Sequence, residues 1–580
     1  MTRNNDVNQL LDDAAANVIT RRDMLKRTVV LGLSAPAITT LLAACGSDVD
    51  EDGEEDPNDD SNEAGSAAVE PTAGESDEAA DEETPEGAEG EPRRGGHLTV
   101  APPADIVGFD IRASADIPTL SVTELIFQPL VRMETDQSLQ PCLATDWIIS
   151  EDVTQFTFTL RKGVTFHNGS AFSADDVVFT FETMLDPDFP SAQAGTFSGV
   201  EEINKVDDQT VEFRLNAPDA EFILKLCRMG IVPKAYVEEV GNDEFNVNPV
   251  GTGPFRYVEW IPEERVVLER NAEYWDAPLP YLDGLTFTPI TEESVLVAAL
   301  ETGEVELIQR AVPPEQAPVL DATEGIVVEF FPYLYSHFIA LNQNLVEAFK
   351  EKAVRQAIAY SIDREAITEV LGSGTRGYGP LPVASSYFNP DLPYYSYDPE
   401  KARAILDEAG IDPASVSFSL QTFTYPDYQR VGEMAHEMLR AVGFNVELAT
   451  DEWTVVRDKC YLPRAECGAM NSGIGGPGPD TLYSQFHTDG SGNVAFYSNE
   501  QVDELLEQGR ATADPAERQA IYDEAITLIL DDSPRIFIND QDLPTVYWEY
   551  MKGFESNPHL SFMQLDRVWI DQELKDRLNP

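Results

Sequence analysis

The sequence predicts an α/β (α+β) fold built in several lobes, and three observations carry the prediction. The chain has 580 residues, several times the length of one compact core. It is 42% hydrophobic and 9% aromatic, the composition of a folded protein. Over about 490 residues, short alternating runs exchange with helix-periodic runs, and Gly, Pro and Asn punctuate them. Interleaved strands and helices of this kind bury their apolar faces as packed layers.

The elements follow in order. Phe156 to Leu160 alternates as a strand, with turns at Gly163 and Asn168-Gly169. Ser173-Ala174-Asp175-Asp176 caps a helix through Leu185. Thr210 to Leu215 reads as a strand, and Phe255 to Trp260 as another after the rigid turn Asn248-Pro249 with Gly251 and Gly253. Lys352 to Tyr360 and Pro399 to Ala409 are helix-periodic, the second stopped by Gly410. Val431 to Val442 is a helix ended by Gly443 and followed by a strand, Asn445 to Ala449; Pro515 to Leu530 is a late helix. Arg355 and Asp363 lie eight apart and are expected to share a helix face as a structural ion pair.

Charge narrows the function. The formal net charge is -65, and the 44 residues from 48 to 91 hold 20 acidic and no basic ones, which leaves -46 for residues 92–580. A nucleic-acid partner needs a basic stripe, and anionic lipid needs a polybasic patch; neither is present. Only 11 of the 39 basic residues are Lys, which fits a hydrated acidic surface in high salt or an acidic extracytoplasmic protein from a high-GC genome. No apolar run reaches the roughly 20 residues of a membrane span.

The N-terminus reads as an address. Arg21-Arg22-Asp23-Met24-Leu25 precedes a short apolar stretch and then Leu42-Ala43-Ala44-Cys45-Gly46. The arginine pair resembles a twin-arginine export signal, and the second motif a lipobox with Cys45 as the lipidated residue. Residues 1–45 are then the signal segment, and 46–91 an acidic disordered tether. Four cysteines remain, an even number that permits two disulfides; Cys460 with Cys467 is the short-loop candidate, and Cys142 with Cys227 its complement.

Several blocks stand in a fixed order. They are Leu160-Arg161-Lys162-Gly163-Val164-Thr165-Phe166-His167-Asn168-Gly169, Asn248-Pro249-Val250-Gly251-Thr252-Gly253-Pro254-Phe255, Asn271-Ala272-Glu273-Tyr274-Trp275, Val354-Arg355-Gln356-Ala357-Ile358, Ser361-Ile362-Asp363-Arg364 and Tyr397-Asp398-Pro399-Glu400-Lys401-Ala402. Together they resemble the family 5 extracytoplasmic solute-binding proteins, the peptide/nickel-type receptors of ABC importers. The resemblance implies a two-lobed periplasmic-binding-protein-like fold of type II, with a hinge and an extra domain inserted in lobe I. Mapped here, lobe I is 92–141, 249–335 and 536–580, the extra domain is 142–248, and lobe II is 336–535. The blocks read as packing and turn determinants more than as ligand contacts.

A cleft binder is lined by aromatics and a few placed polar groups. Three stretches qualify: Phe330 to Phe338, with Tyr335 and His337; Gln421 to Pro426, with Thr422 and Tyr425; and the loop Met470 to Asp480, with Asn471, Ser472, Gly473, Gly475 and Asp480. In the family this last loop often carries an Asp that pairs with a peptide ammonium; Gly475 stands at that position here, which puts a peptide cargo in question. The Gly amides are expected to meet hydroxyls or carboxylates instead. The same loop spells G-x-G-x-x-G from Gly473 to Gly478, but Pro477 and Pro479 disrupt the register a dinucleotide turn needs. No cofactor and no resident metal are expected, since the six His are dispersed. The expected function is a membrane-tethered, monomeric receptor that is not an enzyme and delivers a peptide or similar small solute to ABC permease subunits. Rival readings are a nickel-chelate or sugar receptor of the same fold, in which His337 or His487 reaches a chelated metal, a sensory or adhesive surface lipoprotein of the same fold, and a secreted lipid-anchored hydrolase.

Overall fold

The computed structural model describes residues 91–309, 312, 316–476, 478–559 and 561–578. The export and lipidation residues Arg21, Arg22 and Cys45, and the acidic stretch before residue 91, lie outside them. Nineteen strands are assigned among the described residues, and most join one mixed sheet. In chain order these are β1 (His97–Ala101), β2 (Val131–Met133), β3 (Leu139–Pro141), β4 (Ala144–Ile149), β5 (Gln155–Leu160), β6 (Val200–Asp207), β7 (Thr210–Leu215), β8 (Phe255–Ile261), β9 (Arg265–Arg270), β10 (Gly284–Phe287), β11 (Leu307–Gln309), β12 (Ile326–Leu341), β13 (Thr375–Arg376), β14 (Ser417–Phe423), β15 (Asn445–Asp451), β16 (Ala469–Gly475), β17 (Arg535–Trp548), β18 (Met551–Lys552) and β19 (Trp569–Ile570).

The large sheet has the order β15-β14-β16-β12-β17-β11-β1-β10-β9-β8, with β13 beside β17. Its two long strands, β12 and β17, pair antiparallel along most of their length. The first half of β12, Ile326 to Pro332, pairs with Trp548 to Asp542, and this stretch of β17 also carries β11. The second half, Ser336 to Ala340, pairs with Asp540 to Arg535, and this stretch of β12 also carries β16. Between them the register shifts: Tyr333, Leu334 and Tyr335 stand opposite Gln541 alone. A bulge of this kind bends the ribbon and raises its twist.

The core divides at the same place. One cluster of buried apolar side chains runs from Leu98 to Ile326 and resumes at Val546; another lies between Phe338 and Phe537. The separate antiparallel sheet β4-β5-β7-β6 falls wholly within residues 144–215, but Phe156, Phe158 and Phe213 share the first cluster with Leu98 and Leu307. The architecture is therefore two-lobed, with the ribbon crossing between the lobes.

Local chemistry explains most elements. Ser173 and Asp176 form a capping box before helix Ala174–Leu185. Helix Pro426–Val442 starts five residues before the expected Val431, because Pro426 suits the first helical turn, and Gly443 at φ 120° ends it. It buries Val431, Met434, Ala435, Met438, Leu439 and Val442, one stripe at helical spacing. Two of the recognised blocks meet: Gly251 O accepts from His167 N at 2.8 Å, and Gly253 N donates to Ile126 O at 2.8 Å. A Cβ on Gly251 or Gly253 would stand 2.0 or 2.3 Å from the backbone oxygens of Ile126 or Leu125, so only glycine fits.

Two expectations are corrected. Arg355 and Asp363 do not pair across a helix face, because helix Lys352–Ser361 ends before Asp363. Arg355 instead donates to the carbonyls of Phe349, Lys350 and Asp532, while Asp363 caps the next helix by accepting from Ala366 N. Cys460 and Cys467 are bonded, but Cys142 and Cys227 are both free and buried. Cys227 Sγ is turned to Ile223 O in its own helical turn at 3.4 Å, and Cys142 lies in the turn between β3 and β4. Burial pushes both thiols up to about 12, so they are inert packing groups. Alkylation under native conditions should leave Cys142 and Cys227 unmodified. Denaturant alone should expose both, and Cys460 and Cys467 should react only after reduction, as peptide mass mapping would read out.

Candidate ligand cleft

The segment Asp219 to Met229, which includes helix Phe222–Leu226, belongs by its core to the first lobe. Helix Asp480–Phe486 and helix Glu500–Ala511 belong to the second. Between them lies a cleft of about 830 Å³, lined among others by Phe197, Asn216, Lys225, Arg228, Tyr483 and Ser484. A smaller recess of about 250 Å³ is lined by Tyr335, Phe338, Tyr461, Gly473, Gly475, Gln485, Gly492 and Arg535. The two share a wall: helix Asp480–Phe486 gives Tyr483 to the first and Gln485 to the second.

Charged groups from both lobes meet at the rim of the larger cleft. Lys225 Nζ lies 2.6 Å from Asp219 Oδ2 and 3.0 Å from Asp480 Oδ2. Arg510 Nε lies 2.9 Å from Asp480 Oδ1, and the Arg510 guanidinium sits 4.4 Å from the Tyr483 ring centre. Backbone bonds cross with them: Ala220 N donates to Arg510 O at 2.9 Å, and Asp480 N donates to Glu221 Oε2 at 2.9 Å. A Cβ on Gly478 would stand 2.2 Å from that same Glu221 oxygen, so glycine is what lets the carboxyl reach the Asp480 amide. Burial, helped by the neighbouring Asp480 and Asp219 carboxylates and opposed by the Asp480 amide, raises Glu221 to about 8. Although burial works against the charge of Lys225, Asp480 and Asp219 hold it above the ordinary lysine range. The result is a clasp between the lobes.

The residues proposed from sequence separate into three groups. Tyr335, Gly473 and Gly475 line the recess, and Asp480 lines the cleft but is engaged in the clasp. His337, Thr422, Asn471 and Ser472 are buried at or below 1% exposure and support the recess from behind. Asn471 Nδ2 donates to Tyr428 O at 2.7 Å and Thr422 Oγ1 at 3.0 Å, and the Tyr461 and Ser472 hydroxyls bond each other. Burial lowers His337 to about 4, so it is neutral and packs 4.4 Å from the Tyr428 ring. Tyr425 stands outside the recess, half exposed, against Phe423. His487 stacks on Tyr483 at 4.2 Å. Among the described residues no group of three or more His, Cys, Asp or Glu is placed to hold a metal ion.

The expected loop from Met470 is in its first part a strand. β16 pairs Gly473 with His337 and Gly475 with Tyr335. A Cβ on Gly473 would stand 2.3 Å from the Tyr335 ring, and one on Gly475 would stand 2.7 Å from Leu334 O. The glycines make room for Tyr335, and a carboxylate side chain at 475 has no space. Sequence reasoning missed Asp219, Glu221, Lys225, Arg510, Tyr461 and Arg535. Only Arg535 carried a local signal, as a lone cation opening the apolar run Ile536-Phe537-Ile538.

A family model described as bacterial extracellular solute-binding proteins, family 5 Middle, matches residues 138–495. The chain belongs to that family. It is accordingly an extracytoplasmic solute-binding receptor of the ABC-import class and not an enzyme. The glutathione-binding protein GsiB of Pectobacterium atrosepticum is 30% identical over 470 residues, covering 76% of this chain and 88% of that protein. The solved structure of the substrate-binding protein CtaP from Listeria monocytogenes superposes with a TM-score of 0.74 at 26% identity, covering 82% of this chain and all of that one. The periplasmic binding protein DppA from Helicobacter pylori, solved with the peptide STSA, gives 0.69 at 27% identity, covering 83% and 99%. Among the described residues no helix is long and apolar enough to cross a membrane.

Glu221 makes the clasp pH-sensitive, and the sign follows from its raised value. Between the ordinary glutamate value of 4.5 and about 8, the folded form binds the proton more tightly than the unfolded chain. Stability is therefore fully present below about 4.5 and falls as pH rises towards 8. Glu221→Gln should flatten the decline in thermal midpoint between pH 5 and 8, removing about 2–5 kcal/mol of pH-dependent stability. Parallel midpoint curves for the two proteins would show that Glu221 is not the group responsible.

Proposed function

We propose that this receptor captures a short peptide or a similar small solute in the cleft between its lobes, and that closing of the lobes is what the permease recognises. The observation that carries the reading is the clasp itself. Asp219, Glu221 and Lys225 on one lobe meet Asp480 and Arg510 on the other across a cleft of about 830 Å³, a volume suited to a small solute. The ligands named for two relatives, glutathione for one and a tetrapeptide for the other, support the peptide class. The missing carboxylate at Gly475 does not oppose it, because Asp489 lines the same cleft outside the clasp and offers an ammonium another partner.

The lobes are assigned as 92–141, 249–335 and the C-terminal part for lobe I, 142–248 for the extra domain, and lobe II from 336 onward. The register break opposite Gln541 supports a second crossing close to the expected 536. Hinge closure then needs only the residues around Tyr333–Tyr335 and Gln541 to absorb the change. Ligand that touches both lobes shifts the population by its differential affinity for the closed form. Lys225→Met, which removes the cation shared by Asp219 and Asp480, should enlarge the radius of gyration of the ligand-free protein in solution scattering and leave its far-UV circular dichroism unchanged. An unchanged radius would remove the clasp from the closing mechanism.

The receptor is further proposed to be a monomer held to the membrane through Cys45, exported through Arg21-Arg22, with 46–91 as the tether. In cell fractionation, Cys45→Ala should move the protein from the membrane to the soluble extracytoplasmic fraction. Replacing Arg21 and Arg22 by Lys should retain it inside the cell; secretion at the normal level would point to another export route.

A further inference from the structure

Arg535 opens β17 with only 3% of its surface exposed. Its guanidinium lies between two rings, 4.3 Å from the centre of Phe338 and 5.2 Å from that of Phe486. One nitrogen, Nη2, donates to Gly492 O at 2.6 Å, while Nε and Nη1 are buried without a hydrogen-bond partner. The recess it lines is also walled by Tyr335, Tyr461, Gln485 and Gly475, and no carboxylate is among its lining residues. Burial pulls Arg535 down to about 9, only partly opposed by Tyr461, so it is still a cation at neutral pH.

A buried cation with two idle donors and no counterion is a costly arrangement that a protein does not retain for packing alone. Aliphatic or aromatic residues fill such a place better. At about 250 Å³ the recess is far larger than the roughly 15 Å³ that one water needs, and it abuts the solute cleft along helix Asp480–Phe486. Gly473 and Gly475 keep its floor open, because any side chain there would displace Tyr335 or meet Leu334 O.

We infer that the recess is an anion subsite in which Arg535 takes a carboxylate of the bound solute, so that the cargo is a carboxylic acid whose acidic group enters the second lobe beside the hinge. The inference rests on the solute-capture reading and sharpens it to a substrate class. The carboxylate supplies the counterion and engages the free Nε and Nη1 donors in charge-assisted hydrogen bonds. Because the anion binds to β17 at the ribbon, cargo there also touches the strand that crosses between the lobes.

The test uses the full chain, the Arg535→Gln and Arg535→Lys variants, and defined probes: glutathione, the tetrapeptide Ser-Thr-Ser-Ala, the form of each with every carboxyl group amidated, and glutarate against glutaramide. Binding is read by calorimetry and by thermal midpoint. The expected result is that an acid probe binds the wild type at least ten-fold more tightly than its amide, that Arg535→Gln abolishes the difference, and that Arg535→Lys retains part of it. If a peptide binds but acid and amide are equal, or Arg535→Gln discriminates as the wild type does, the subsite is overturned while solute capture stands. If no peptide binds but glutarate stabilises the wild type and not Arg535→Gln, the subsite stands and the peptide reading fails. If no acid is distinguished from its amide by any readout, the subsite is overturned. Arg535→Met guards against a folding defect: without ligand its thermal midpoint should equal or exceed that of the wild type, and a large drop would make Arg535 a structural residue and overturn the inference.

Discussion

The antiparallel pairing of Ile326–Leu341 with Arg535–Trp548 is the constraint on which the rest of the structure depends. Every other strand of the large sheet belongs to one end of this ribbon or the other. β11, β1, β10, β9 and β8 extend from the end near Trp548, and β16, β14 and β15 from the end near Ser336. Each half-sheet is anchored by its own apolar cluster. The ribbon between them is only two strands wide and carries a register break at Tyr333–Tyr335. Two-stranded ribbons twist more readily than wide sheets, and a bulge concentrates that freedom. The hydrogen-bonded backbone that joins the lobes is thus also the part that bends most easily.

The clasp at the cleft rim sets what closure is worth. Lys225, Arg510, Asp219 and Asp480 are only part-exposed, so taking them from water offsets much of what their attraction returns. The Glu221 carboxyl adds a further desolvated acid, more easily kept protonated than charged. A clasp of strong pairs with heavy desolvation contributes little net free energy while fixing geometry closely. That balance suits a receptor: were the clasp strongly favourable, the lobes would stay shut without cargo, and ligand would gain nothing by touching both.

The sequence was most informative where local backbone chemistry decides the outcome. Ser173 with Asp176, Pro426 with Gly443, and Gly251 with Gly253 each leave a signature within a few residues, and the family blocks are made of such signatures. The cleft was less legible, because its walls come from residues about 260 positions apart, such as Glu221 and Asp480. The glycines from 473 to 478 illustrate the limit. In sequence they suggest exposed amides, with Pro477 and Pro479 breaking the register of a dinucleotide turn. In the fold, two of them clear the Tyr335 ring and a third admits the Glu221 carboxyl. A glycine records that something approaches closely, not what approaches. The disposition of Cys142 and Cys227 was likewise beyond arithmetic on cysteine number, since whether two thiols bond depends on where their side chains point.

The charge of the molecule bears on its cargo in two ways that act over different distances. Residues 92–580 carry -46, and an anionic solute approaching them meets repulsion. That repulsion acts through water and counterions, and it fades beyond a Debye length of about 8 Å at physiological salt and about 3 Å at 1 M. Arg535 is only 3% exposed, so its attraction for a carboxylate in contact with it is less screened than a surface charge's. Local charge therefore outweighs global charge for a ligand already in the cleft, while global charge slows its arrival. Rising ionic strength relieves the slow step and leaves the contact nearly untouched. An acidic receptor for an acidic solute is consistent on these terms, and its association rate, rather than its dissociation rate, is the quantity that salt governs.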